Sequence, residues 1–253
     1  MAQAVFGSPL QAVEGETKTL DATTVGYVAL KPGFHEVKLY CASAWRLALA
    51  PALRVVSFYD TSAGTYTNYA SQATDRSSST HVQLDSMANL DYLYLGSTDP
   101  TLGYYIDMGT NVNAIASTLA TEYSTTAQVA DGSHILTPIA WTALTETDGT
   151  LTSTTTTLTV DGLITWTLPT DWVRSALPGV TAELLYWVRF TPSATLSTAV
   201  DVNEIIPVYQ NISYAYMEAG TEYQFALNIA KLGALVVLST SGTPTLNISW
   251  LKH

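Results

Sequence analysis

The sequence predicts an all-β protein built from antiparallel β-sandwich or jelly-roll domains, with one short helix near residues 170–176. Hydrophobic residues make up 47% of the 253 positions and charged residues only 12%, about half of the ~25% typical of soluble domains. Threonine, serine, tyrosine and valine take up much of the difference, and β-branched and aromatic side chains pack well on a pleated sheet. Short strand-like segments with turn residues between them recur along the chain, which is typical of sandwiches and jelly rolls.

The first block, residues 1–87, contains strand candidates at 25–31, 34–40, 45–50 and 53–59. Pro32-Gly33 separates the first two and predicts a hairpin turn. Pro51 separates the last two. The following segment, 60–79, is rich in threonine, serine, asparagine and glycine, which predicts a long surface connection.

The second block, residues 88–200, contains strand candidates at 91–95, 103–108, 116–123, 139–144, 163–168 and 184–191. A polar loop over 124–138 separates two of them. The helix expected at 170–176 follows Pro169, can be capped by Thr170 or Asp171, and is ended by Pro178-Gly179. The block has the size and strand number of one β-sandwich module.

The third block, residues 201–253, contains strand candidates at 205–210, 212–217, 222–227, 235–239 and 246–251. It has only about fifty residues, which are few for an independent core. We therefore predict that it completes one sandwich with residues 1–87 and that 88–200 is inserted between them, because the ends of an inserted domain lie close together.

Charge is unevenly distributed along the chain. No lysine or arginine occurs between Arg76 and Arg174, and the same stretch carries ten carboxylates, from Asp85 to Asp171. An acidic surface repels phosphate and gains nothing from an anionic membrane. We therefore expect neither nucleic acid nor membrane as a partner.

The sequence lacks the common catalytic, nucleotide-binding and zinc-binding motifs. It contains no phosphate loop, no GxSxG nucleophile elbow and no HExxH zinc motif. The single cysteine, Cys41, excludes an internal disulfide and is expected to be a buried structural thiol. We assign no catalytic residue, no metal site and no cofactor, and we expect a non-enzymatic protein.

Two weaker site candidates remain. The segment 107–111 offers oxygen ligands to Ca²⁺ from Asp107 and Asn111, although it lacks the regular DxDxDG spacing of calcium loops. A glycoside-cleaving enzyme would need two carboxylates about 5–10 Å apart. Most acidic residues here stand in turn-like contexts, which favours solvated turns over such a pair.

The six tryptophans raise the alternative of glycan binding, because aromatic platforms stack on sugars. Trp166 and Trp187 lie within strand candidates, so we predict that both are core residues. Trp141 near a strand start and Trp172 on the expected helix are the candidate glycan contacts. Packing over one end of the sandwich is the competing interpretation for these two.

The second block resembles a β-sandwich module that recurs in virion structural proteins of tailed bacteriophages. The similarity covers about residues 88–200, and the segments 25–58 and 220–250 resemble other parts of such proteins less distinctively. The loop 124–139 is longer than the module leads us to expect. The similar stretches are DYLYLGS at 91–97, GYYIDMG at 103–109, ASTLATEY at 116–123, WTAL at 141–144, GLITWTLPTDW at 162–172 and LYWVRF at 185–190.

The resemblance implies a structural virion protein, assembled in the host cytoplasm and resident in the virion. Because the chain lacks the repeats of a fibre shaft, we favour a capsid decoration (cement) protein bound to the head exterior. The implied partners are other virion proteins, above all the major capsid protein, and further copies of this chain. The alternative is a tail, neck or head-fibre component with a glycan- or receptor-binding sandwich. The start of the chain lacks a basic signal-peptide region, as a virion protein would.

Overall fold

A computed structural model describes residues 11–22, 26–29, 34, 36–51, 53–74, 79–126, 139–209, 214–226 and 232–252. The described residues form antiparallel β-strands and contain no helix. The chain divides into two compact units, unit 1 with Met1–Pro51 and Ile212–His253, and unit 2 with Ala52–Asn211. The all-β, sandwich-like architecture predicted from the sequence is confirmed.

Twenty strands are described. Those of unit 1 are β1 Gln11–Thr19, β2 Gly26–Ala29, β3 Glu36–Cys41, β4 Trp45–Pro51, β17 Ala215–Met217, β18 Glu222–Ala226, β19 Leu232–Ser239 and β20 Thr245–Lys252. Those of unit 2 are β5 Val55–Asp60, β6 Thr65–Asn68, β7 Val82–Gln83, β8 Tyr92–Ser97, β9 Thr101–Met108, β10 Leu119–Ser124, β11 Trp141–Ala143, β12 Glu146–Asp148, β13 Gly162–Trp166, β14 Ser175–Leu177, β15 Thr181–Pro192 and β16 Asp201–Tyr209.

Unit 1 is an eight-stranded jelly roll. Its two sheets have the orders β1-β20-β3-β18 and β17-β4-β19-β2. Counted along the chain within the unit, these orders are 1-8-3-6 and 5-4-7-2, the double Greek-key pattern of a jelly roll. Strands from both ends of the chain alternate in each sheet, as where β20 lies between β1 and β3.

The core of unit 1 lies between these sheets. Trp45 and Trp250 are fully buried in it, and Phe34 packs against Trp250 with ring centroids 6.1 Å apart. Cys41 is a free and buried thiol in the same cluster, as predicted. The other buried members of this cluster are mainly leucine, valine and isoleucine, which fill the space around the aromatic rings.

Unit 2 contains a second jelly roll. Its sheets have the orders β11-β10-β15-β8-β5-β6, with β14 paired to β15, and β12-β13-β9-β16-β7. The eight strands β7, β8, β9, β10, β11, β13, β15 and β16 reproduce the orders 1-8-3-6 and 2-7-4-5. The β5–β6 hairpin extends the first sheet beyond β8. The sequence predicted that residues 53–87, with one strand at 53–59, belong to the first block, whereas the pairing of β5, β6 and β7 puts them in unit 2.

The prediction of a helix at 170–176 is wrong. Residues 170–174 have no regular structure, and β14 follows them in an extended conformation, with Ser175 opposite Leu185 of β15. Trp172 is only 7% exposed and makes edge-to-face contacts with the rings of Tyr123 and Tyr186. Burial of this indole and pairing of β14 override the local helix-capping pattern.

Candidate functional site

An open groove of about 910 Å³ lies on unit 2, where the segments around β12 and β13 meet the end of β10. Its polar lining consists of hydroxyl groups and one carboxylate, from Tyr123, Thr145, Thr147, Thr165, Thr167, Thr170 and Asp171. All four residues Thr145, Thr147, Thr167 and Thr170 are exposed to solvent, and Thr165 is half-buried. The groove is therefore hydrated and accessible to a ligand.

The antiparallel pairing of β12 with β13 sets the spacing of these threonines. Thr147 lies opposite Thr165 in the register. Because alternate side chains of a strand face the same side, Thr145 is expected to share the face of Thr147, and Thr167 that of Thr165. The pairing thus brings Thr147 beside Thr165, and Thr145 and Thr167, just outside the two strands, line the same groove.

The hydroxyl groups of Thr147 and Thr165 make no hydrogen bond to any residue that the structure describes. Other threonines of unit 2 form hydrogen bonds within the protein. Thr150 and Thr157 are fully buried, and their hydroxyls donate to the carboxylate of Asp148 at 2.6 and 2.5 Å. The groove threonines therefore keep their donor and acceptor positions for solvent or a ligand.

Asp171 supplies the one carboxylate in the part of the groove lining that the structure describes. Its Oδ1 accepts a 2.8 Å hydrogen bond from the phenol of Tyr123, the buried residue near the end of β10. The bond to this carboxylate, together with burial and the negative charge, raises the pKa of Tyr123 above its ordinary value. The phenol therefore stays protonated at neutral pH and holds Asp171 in a fixed position.

The remaining lining is apolar. Leu144, Leu168 and Pro169 are half-buried, and Trp166 beneath them is 6% exposed. The indole Nε1 of Trp166 donates a 2.9 Å hydrogen bond to the carbonyl oxygen of Thr101, which fixes the ring. Trp166 and Trp187 are both buried, as predicted.

Among the described residues that line the groove, which lie between positions 123 and 171, none is basic. This range falls within the stretch between Arg76 and Arg174 that lacks lysine and arginine. An anionic ligand would meet the carboxylate of Asp171 with no compensating cation in the groove. The lining suits an uncharged ligand with many hydroxyl groups.

The two tryptophans proposed as glycan contacts do not line this groove. Trp172 is buried behind Tyr123, as described above. Trp141 is half-buried on β11, where its ring packs against Tyr94 at 5.5 Å and the guanidinium of Arg189 lies 4.5 Å from its centroid. The structure therefore gives both indoles packing partners within unit 2.

Arg189 stands at the centre of an aromatic cluster that the sequence analysis missed. Its guanidinium lies between the rings of Tyr92, at 4.1 Å, and Trp141, and its Nε donates a 2.6 Å hydrogen bond to Glu122. Burial opposes the charge of Arg189, but the bonds to Glu122 and Tyr94 outweigh it, so its pKa is raised. This cluster is a packed clamp across β8, β10, β11 and β15.

Asn111, one of the two candidate calcium ligands, is bound to another side chain. The Asn111 amide donates a 2.6 Å hydrogen bond to Asp201, whose other oxygen lies 2.9 Å from Nε2 of His81. Asp107 lies opposite Glu204 in the pairing of β9 with β16. The described residues contain no group of three or more histidine, cysteine, aspartate or glutamate side chains placed to hold a metal ion.

No helix with the length and apolar character needed to cross a bilayer occurs among the residues described. Comparison of the chain with protein-family models, curated proteins and solved structures found no match.

Proposed function

We propose that this protein is a non-enzymatic structural component of a tailed-phage virion, a capsid decoration (cement) protein bound to the head exterior. The observation that supports this best is the presence of two jelly rolls in one chain, one inserted between the fourth and fifth strands of the other. Jelly rolls are a common architecture of viral capsid domains. The resemblance of residues 88–200 to a phage virion module points in the same direction.

Charge differs sharply between the two units. Unit 1 has six basic and six acidic residues, whereas unit 2 has four basic and fifteen acidic residues. The whole formal charge of −11 therefore belongs to unit 2. A strongly charged surface favours solubility, whereas contact surfaces have few charged residues at their centre. We propose that unit 1 supplies the capsid-binding surface and that the acidic surface of unit 2 remains in solvent.

Near one edge of its second sheet, unit 1 exposes three side chains that suit a protein–protein contact. Tyr216 of the edge strand β17 is 64% exposed and lies opposite the exposed Arg46 of β4. Leu49, also on β4, is 46% exposed. Tyrosine and arginine are enriched at protein interfaces and are frequent among the residues that dominate binding energy.

Binding of the purified full chain to phage heads that lack it tests this proposal. We expect saturable co-sedimentation with heads, weakened at least about tenfold by Tyr216→Ala combined with Arg46→Ala. The matched control is Leu184→Ala, which removes a 54% exposed side chain from unit 2 and should leave binding unchanged. Absence of binding to heads, or equal losses in both variants, would contradict the proposal.

The alternative, a tail, neck or head-fibre component, predicts a different partner in the same experiment. The full chain would then sediment with isolated tails or with neck complexes and not with heads. In that case each particle would contain about a dozen copies or fewer.

A further inference from the structure

We propose that the threonine-lined groove of unit 2 is a binding site for a neutral glycan. This inference goes beyond the structural role proposed above and does not depend on it. It starts from four threonines that line one groove, Thr145, Thr147, Thr165 and Thr167, of which Thr147 and Thr165 lie directly opposite each other on paired strands. A sugar ring presents hydroxyl groups that both donate and accept hydrogen bonds, and threonine hydroxyls offer the same two functions.

Asp171 adds a strong acceptor to this set. Tyr123 holds its Oδ1 at 2.8 Å, and its Oδ2 has no hydrogen-bond partner in the described part of the chain. A carboxylate accepts hydrogen bonds from hydroxyl donors at shorter distances, and more strongly, than a neutral oxygen does. One fixed carboxylate oxygen beside several hydroxyls can select a particular arrangement of sugar hydroxyl groups.

The apolar part of the groove complements the other side of a sugar. Leu144, Leu168 and Pro169 provide half-buried aliphatic surface next to the hydroxyls. The C–H groups of a pyranose ring form an apolar face that loses contact with water when it lies on such a surface. The groove thus offers a smaller apolar surface beside a larger polar one, which matches the ratio of C–H to hydroxyl surface on a sugar.

The charge and the volume of the groove indicate which class of glycan it can bind. The described lining residues carry one negative charge and include no lysine or arginine, which disfavours sulfated, sialylated and uronic-acid sugars. Its volume of about 910 Å³ lies near the upper end of the ~300–1,000 Å³ typical of ligand pockets. A short neutral oligosaccharide fits these limits better than a single sugar.

The groove also has the rigidity that specific binding requires. Thr147 and Thr165 belong to paired strands, and Tyr123 belongs to a strand that pairs on both sides, with β11 and β15. The Trp172 ring supports Tyr123 from behind, with ring centroids 5.8 Å apart. Polar groups carried on rigid strands lose little conformational entropy when a ligand binds.

A glycan array followed by isothermal titration of the full chain tests the proposal. We expect binding to one or more neutral oligosaccharides and no binding to their sulfated or sialylated counterparts. The double variant Thr147→Val, Thr165→Val removes two hydroxyls with almost no change of shape, and Asp171→Asn removes the charge. Each should weaken binding at least about tenfold.

The control is Thr65→Val combined with Thr67→Val, because these two exposed threonines of β6 lie outside the groove lining. Circular dichroism confirms that each variant is folded, and the control should bind like the unchanged protein. Three results would each overturn the proposal. The first is that the wild-type protein binds no neutral glycan at millimolar concentration. The second is that both groove variants bind as tightly as the wild-type protein. The third is that the wild-type protein prefers acidic glycans to neutral ones.

Discussion

The phenol oxygen of Tyr123 donates a 2.8 Å hydrogen bond to Oδ1 of Asp171, a residue 48 positions further along the chain. This bond ties β10 to the irregular segment that follows β13 and fixes the one carboxylate found among the described residues of the groove. A bond of this kind joins elements that local sequence does not connect, so it affects both the stability of unit 2 and the geometry of the groove.

Replacement of Asp171 by asparagine should lower the pKa of Tyr123, because the bond to the carboxylate is the largest cause of its upward shift. A raised folded pKa means that this contribution to stability is complete below pH ~10 and is lost as the pH rises through the folded value. Nuclear magnetic resonance of ring-labelled tyrosine over an alkaline titration measures the shift, and Tyr123→Phe assigns the signal. Identical titration of Tyr123 with and without the carboxylate would contradict the role of this bond.

Asp148→Ala should destabilise unit 2 by about 2 kcal/mol, because one carboxylate satisfies two buried hydroxyls and a backbone amide. Its Oδ1 accepts from the amide and the hydroxyl of Thr150, and its Oδ2 accepts from Thr157. Urea unfolding of the full chain measures the change in the transition of unit 2. The control Asp99→Ala removes a carboxylate that is 59% exposed and should cost about 0.5 kcal/mol or less. Equal effects of the two variants would refute this account of the Asp148 network.

Arg189→Lys should destabilise unit 2 by about 1–2 kcal/mol, although the charge is kept. A lysine cannot place a flat group between the rings of Tyr92 and Trp141 while it also bonds Glu122. Arg174→Lys is the matched control, because the Arg174 side chain is 50% exposed and lies over only one ring, that of Tyr186. Thermal unfolding of both variants checks the difference, and an unchanged melting temperature for Arg189→Lys would contradict the clamp.

Gly162→Ala should unfold unit 2 or cost more than about 3 kcal/mol, because the added Cβ would overlap the backbone carbonyl of Gly149. The obstacle is main chain and cannot rotate away as a side chain could. Gly15→Ala in β1 is the control, since its nearest neighbour would be the carbonyl oxygen of Ile248 at an ordinary 3.8 Å. Soluble yield and circular dichroism of the two variants distinguish these cases. A Gly162→Ala protein that folds and melts normally would show that β13 can move away from the loop.

Much of the fold could be predicted from the sequence where strands are long and apolar. The segment 184–191 predicts most of β15, Thr181–Pro192, and the burial of Trp187 within it. Short or polar strands escaped prediction. All four residues of β6, Thr65–Asn68, are exposed, so no hydrophobic alternation marks it as a strand.

The wrong helix prediction has a specific cause. The segment after Pro169 has good helix-capping residues. Trp172 nevertheless packs against Tyr123 on β10 and Tyr186 on β15. Contacts between residues distant in sequence decided the backbone there, and they leave no trace in the local pattern.

The groove was hidden for a similar reason. The Thr-x-Thr patterns at 145–147 and 165–167 are visible in the sequence, but they become one surface only through the pairing of Thr147 with Thr165. The clamp of Arg189 on Trp141 likewise requires the strand order β11-β10-β15, which the sequence does not state. The residue types at these positions are visible in the sequence, whereas their contacts with one another depend on strand pairing that the sequence does not reveal.

The number of copies of this protein in each purified phage particle tests the central proposal most directly. Quantitative mass spectrometry against a known capsid protein provides that number. A decoration protein follows the symmetry of the head, so we expect on the order of hundreds of copies per particle. About a dozen copies or fewer, or none in the particle, would contradict a role on the head exterior.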